Sequence, residues 1–187
     1  MRKSTLLVSS AVLTLLLACG VALAATIDCS APGRCVGTSG PDTIYGTDEP
    51  DAIHGREGGD RIFGRAGDDA DAETNSGLEG GDGDDVIRGG NGDDHMYGDR
   101  GTDRLFGGRG RDSITGETHN YVGPAPGELL VGGPGGDFFR ARDGQKDRIY
   151  CGTGLDEVFA DDAKKSGHND TGVRDYVDDS CERVDRY

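Results

Sequence analysis

A single apolar side chain recurs at every ninth residue through the middle of the chain, at Ile44, Ile53 and Ile62 and again at Ile87, Met96, Leu105 and Ile114. Its immediate neighbours are mostly polar or aromatic, so one side chain in three faces inward, as in a very short half-buried strand. Glycine and aspartate fill the space between these strands. A fixed period built from turn residues and a three-residue strand predicts a stack of repeated units. Aligned from Gly37, the units read GTSGPDTIY, GTDEPDAIH, GREGGDRIF and GRAGDDADA. After a spacer over 73–79 they resume as GGDGDDVIR, GGNGDDHMY, GDRGTDRLF and GGRGRDSIT. Position one is always Gly, position six always Asp, and position eight apolar except at Asp71. A looser block follows a second spacer over 116–122, with GPAPGELLV from Gly123 and GGPGGDFFR from Gly132 placing Leu130 and Phe139 inside. Two units make one coil, so units n and n+2 are expected to stack.

That arrangement has a chemistry. Glycines among positions one to six permit positive φ and tight turns that aim carbonyls inward, and the aspartate at position six adds a carboxylate. Flexible sites made of many oxygens suit Ca²⁺ better than Mg²⁺ or a softer metal. The candidate metal ligands are Asp42, Asp51, Asp60, Asp69, Asp85, Asp94, Asp103, Asp112, Asp137, Asp147 and Asp156. Stacking sets Asp42 over Asp60, Asp51 over Asp69, Asp85 over Asp103 and Asp94 over Asp112, where like charges repel unless a cation lies between them. Departures at Glu49, Pro50, Asp71 and Glu128 are expected to weaken the sites that involve Asp51, Asp69 and Glu128.

Composition sharpens this picture. The 187 residues carry 35 Asp+Glu against 20 Lys+Arg, a formal charge of −15, with 33% hydrophobic residues and no Trp. Such a charge repels nucleic acid and anionic lipid and attracts cations. One buried apolar side chain per nine residues does not offset the entropy of ordering all nine. The segment is therefore expected to fold only when metal binding stabilises it.

The units with the pattern G-G-x-G-x-D-apolar, clearest from Gly80 to Arg88 and from Gly89 to Tyr97, resemble the hemolysin-type or RTX calcium-binding repeat. The resemblance implies an all-β fold, a right-handed parallel β-roll (a β-solenoid) of nonapeptide repeats with short loop insertions, holding several Ca²⁺. The stretches YCGTGLDEVFAD and RDYVDDSCERV resemble the cysteine-closed tail of secreted actinobacterial repeat proteins.

Met1-Arg2-Lys3, an apolar run and Ala22-Leu23-Ala24 before Ala25 form the pattern of a secretory signal, while Leu16-Leu17-Ala18-Cys19 also resembles a lipobox that would anchor the chain through Cys19. Cleavage after Ala24 removes Arg2 and Lys3, taking the charge from −15 to −17, and leaves four cysteines in an oxidising compartment. Four cysteines allow three connectivities, and proximity favours Cys29 with Cys35 and Cys151 with Cys181. The expected organisation is a signal peptide over 1–24, a disulfide cap over 25–36, the repeats over 37–159 and a C-terminal cap over 160–187.

Catalytic patterns are missing from the sequence. His54 and His95 fall at outward repeat positions, neither an H-E-x-x-H helix nor a G-x-S-x-G elbow occurs, and the glycine loops lack a phosphate-binding Lys. Residues 25–36 are too few for a catalytic domain. The expectation is a secreted, non-enzymatic calcium-binding protein without a membrane span or nucleic-acid partner, serving as a structural or interaction module. An alternative is a cell-envelope adhesion protein whose outward Tyr45, Phe63, Tyr97 and Phe106 contact glycan or protein; a hydrolase ranks third.

Overall fold

The computed structural model describes residues 23–70, 77–116, 127–161 and 174–186. Residues 1–22, where a signal peptide is expected, and residues 71–76 (with Asp71), 117–126, 162–173 and 187 lie outside the described residues.

Among the described residues sixteen short strands alternate between two parallel sheets. One sheet takes the odd strands in the order β1 (Thr26–Asp28), β3 (Thr43–Tyr45), β5 (Arg61–Ala66), β7 (Val86–Asn91), β9 (Arg104–Arg109), β11 (Leu129–Pro134), β13 (Arg148–Thr153) and β15 (Tyr176–Val177). The other takes β2 (Gly33–Val36), β4 (Asp51–Glu57), β6 (Leu78–Asp82), β8 (His95–Arg100), β10 (Ser113–Thr115), β12 (Phe138–Ala141), β14 (Glu157–Ala160) and β16 (Arg183–Arg186). Each pairs in parallel with the strand two places along the chain, so every turn of the chain adds one strand to each sheet. This is a parallel β-roll, and its first and last coils extend into both expected cap segments.

The core is one side chain wide in each sheet. Ile44, Ile62, Ile87, Leu105, Leu130 and Ile149 run in register along the odd sheet. Ile53, Leu78, Met96, Ile114, Phe139 and Val158 run along the even one. All are buried. Ile27 and Val177 continue the odd row at its ends.

Leu78 corrects the expected repeat boundary. It pairs with Ile53 on one side and Met96 on the other, so it, and not Asp71, fills position eight of the fourth unit. A buried row cannot accept a carboxylate where a neighbouring leucine is available, so the extra residues fall inside the unit, between Asp69 and Gly77. The second insertion behaves likewise. Gly116, not Gly123, opens the ninth unit: its N–H donates to the Arg140 carbonyl, and a Cβ on it would meet the Glu128 carboxylate. The extra residues therefore fall inside that unit, between Gly116 and Gly127.

The cysteines pair as Cys29–Cys35 and Cys151–Cys181.

Candidate metal centre

The aspartates at position six form two buried columns, one beside each sheet. Asp60, Asp69, Asp85, Asp94, Asp103, Asp112, Asp137, Asp147 and Asp156 are all at most 1% exposed, a degree of burial that a carboxylate tolerates only with compensating partners. Half of each requirement is met by the backbone of the preceding coil. The Asp42 N–H donates to Asp60 Oδ1 at 2.7 Å, Asp51 to Asp69 at 2.9 Å, Asp85 to Asp103 at 2.8 Å and Asp94 to Asp112 at 3.0 Å. These are the four predicted stacking pairs. The chain of donors crosses both insertions, from Asp60 to Asp85, Asp69 to Asp94 and Asp112 to Asp137.

The other carboxylate oxygen has no such donor. Oδ2 of Asp60, Asp69, Asp85, Asp94, Asp112, Asp137, Asp147 and Asp156 is buried without a hydrogen-bond partner. Position-one glycine makes room beside it: a Cβ on Gly89 would overlap Asp94 Oδ2 and lie 2.7 Å from the Gly107 carbonyl oxygen. Its backbone φ is not positive, so glycine is needed here for space. Positive φ belongs instead to positions two and four, at Gly90 and Gly92 for example, and is forced even on Arg56, Arg65 and Asp99. The result sets each such carboxylate oxygen against the position-one glycine of its own unit, with a main-chain carbonyl oxygen such as that of Gly107 close by. Among the described residues no three His, Cys, Asp or Glu side chains gather into a metal-holding group. A hard, carbonyl-tolerant ion fits that donor set.

The first coil differs. The Thr38 N–H donates to Asp42 Oδ2 at 2.6 Å and its hydroxyl at 3.0 Å; Thr47 does the same to Asp51 at 2.6 and 3.0 Å. The oxygen that is unpartnered farther along is here satisfied by protein donors. Asp42 and Asp51 thus sit in the predicted columns but not in the same chemical state as the rest.

Two further acids complete the columns at the far end. The Asp147 N–H donates to Asp175 Oδ1 at 3.0 Å and the Asp156 N–H to Glu182 Oε2 at 2.9 Å. Sequence reasoning passed over both, although Asp175-Tyr176-Val177 and Glu182-Arg183-Val184 repeat the acid-x-apolar order of every unit. An outer column lies at position five, where Asp68, Asp84 and Asp93 accept N–H groups from the following coil. The inner acids accept from the preceding coil, so the two columns tie each coil in opposite directions. His54 and His95 point outward, and His54 Nδ1 lies 2.9 Å from the Glu79 carboxylate.

Burial, opposed in part by the donated N–H and reinforced by neighbouring carboxylates, holds the inner acids above their ordinary value of 3.8. Asp69, Asp94, Asp112 and Asp137 are pushed up to about 7 and Asp85 to about 8. Asp147 reaches about 8 by burial and the charges of Asp143 and Asp175. Without metal, both folded and unfolded chains hold these protons below about pH 4. Between there and about pH 8 the unfolded chain ionises first, so rising pH progressively disfavours the fold. Metal-free protein is therefore expected to gain β structure on acidification from pH 8 to about pH 4, followed by circular dichroism in chelator; a signal that falls on acidification contradicts this.

The family model for the RTX calcium-binding nonapeptide repeat matches residues 36–70, 78–105 and 97–120. No curated protein and no solved structure matches the chain. The matched segments cover most of the unpartnered aspartates and break at the first insertion.

Proposed function

The chain is a hemolysin-type RTX calcium-binding repeat protein, and on that footing we propose that its fold is held by a calcium array and serves as an exported structural or interaction module. RTX nonapeptide repeats bind calcium ions and are not a catalytic module. The observation that carries the reading is the row of buried aspartates, each with one oxygen satisfied by a backbone N–H and the other without a partner. Asp60, Asp69, Asp85, Asp94, Asp112, Asp137, Asp147 and Asp156 are assigned as carboxylate ligands, with Asp103 in the same column. Bound calcium neutralises carboxylates that otherwise repel one another, and the chain's own carbonyls and glycines shape the space around it. Two disulfides and a calcium requirement suit an oxidising, calcium-rich exterior. Among the described residues no helix is long and apolar enough to cross a membrane.

The assignment separates the first coil from the rest. Calorimetric titration with calcium is expected to show fewer bound ions for Asp94→Asn or Asp85→Asn, each of which removes a charged ligand from the middle of a column. Asp42→Asn and Asp51→Asn are expected to leave the stoichiometry unchanged, because Thr38 and Thr47 already occupy those carboxylates. A loss of ions in the second pair equal to that in the first contradicts the assignment. A second reading, a cell-envelope protein that uses calcium as scaffold, is favoured by the charge distribution of one sheet.

A further inference from the structure

Charge is segregated between the two sheets. None of β3, β5, β7, β9, β11 and β13 contains an Asp or Glu, and together they hold six arginines. The even strands β4, β6, β8, β14 and β16 all carry acids. In a chain of formal charge −15 this leaves one broad face that is cationic. Parallel sheets are ordinarily covered on both sides, yet nothing in the chain's described residues covers this one.

The face is also ordered. Arg61, Arg104 and Arg148 occupy equivalent outward positions on β5, β9 and β13, are exposed, and form no ion pair among the described residues. Each is separated from the next by one strand, a repeat of about 9.5 Å along the roll. Beside them runs a ladder of rings and guanidinium groups. Tyr45 and Phe63 stack at 5.0 Å and 13°, with Arg65 over Tyr45 at 5.4 Å. Arg88 lies between Phe63 and Phe106, 5.5 and 5.3 Å from their centroids. A guanidinium placed over aromatic rings can still offer its N–H donors, in the fork geometry that suits a carboxylate or sulfate. Tyr97, the fourth outward aromatic, belongs to the opposite sheet, on β8.

We propose that the acid-free face formed by β3 to β13 of the odd sheet binds a linear anionic polysaccharide carrying one acidic group on alternate sugars. Charge complementarity selects an anion, and the straight row of arginines at every second strand selects a polymer whose charges recur at a comparable interval. A membrane is less suited: the aliphatic side chains Val86, Leu129 and Val131 are half-buried within the sheet surface and offer no wedge for a bilayer. The proposal rests on the calcium-held roll, because only the folded coil sets these side chains in register.

The test uses the full chain in calcium, with hyaluronan oligosaccharides as probe and neutral dextran, phosphatidylglycerol vesicles and a thymidine oligonucleotide as comparisons. Hyaluronan binding is expected, weakened by salt, with dextran inert and the other two anions bound more weakly. Arg61→Glu combined with Arg104→Glu and Arg148→Glu is expected to lower hyaluronan affinity at least tenfold, while Arg140→Glu with Arg183→Glu, on the even sheet, leaves it unchanged. Absent hyaluronan binding, tighter binding to vesicles or oligonucleotide, or undiminished binding by the folded triple variant each overturns the proposal. Circular dichroism of the same samples separates it from the calcium reading. Equal β signal in chelator and in calcium defeats that reading, whereas a roll that folds with calcium but ignores hyaluronan defeats this one.

Discussion

Removal of calcium by chelator at pH 7.5 is expected to abolish most of the β circular dichroism signal, and re-addition of calcium in excess to restore it. The effect should be the largest of any single perturbation. In the metal-free chain the buried acids Asp69, Asp94, Asp112 and Asp137 would have to remain protonated near neutral pH or bear charge against one another at 0–1% exposure. The core offers little resistance, since each coil contributes two apolar side chains. Magnesium at the same concentration is expected to restore little, because it keeps its water and demands a regular octahedron, whereas calcium accepts many oxygen ligands in flexible geometry. A β signal unchanged by chelator would show that hydrogen bonding and the narrow core suffice without metal.

The second large effect is expected from a single methyl group. Gly89→Ala places a Cβ against Asp94 Oδ2 and 2.7 Å from the Gly107 carbonyl oxygen, both in the fixed interior of the roll. Overpacking of this kind costs about 1–3 kcal/mol and occasionally more, and here it also fills the space beside the unpartnered oxygen. The variant should bind fewer calcium ions and need a higher calcium concentration to fold, measured by calorimetry and circular dichroism. Gly136→Ala is the comparison. A Cβ there meets only the Leu155 carbonyl oxygen, at 3.3 Å, and both readouts should stay near those of the parent. Equal behaviour of the two variants would mean that the interior of the roll accommodates a Cβ at position one and that glycine is not required there for space.

The period of nine made the strands, the core rows and the aspartate columns legible before any coordinates. Each of these depends on spacing alone: Ile44 faces inward because its neighbours alternate, and Asp42 falls over Asp60 because two units close a coil. Insertions were placed less well, since a linear alignment puts spare residues between units. The buried row instead requires an apolar residue beside Ile53 and Met96, which selects Leu78 and moves the spare residues inside the unit. Thr38 and Thr47 were invisible for another reason. Their effect depends on a hydroxyl reaching a carboxylate four residues on, and a threonine in a turn does not announce that. The acid-free run of strands β3 to β13 was hidden too, because consecutive units alternate between sheets and averaging along the chain mixes the two charges.

The two disulfides give the roll a particular response to being pulled. A stack in which each strand pairs only with its neighbours two places away would unzip from its ends under tension, coil after coil. Here a force on the C-terminus peels β16 and then reaches Cys181, which passes the load straight to Cys151 in β13. The intervening β14 and β15 are bypassed. At the other end a force peels β1, then crosses from Cys29 to Cys35 in β2. Tension thus enters the C-terminal end through a covalent bond one coil in, at β13, and the N-terminal end at β2 within the first coil, so a tether attached at either terminus pulls past the outermost strand rather than on it.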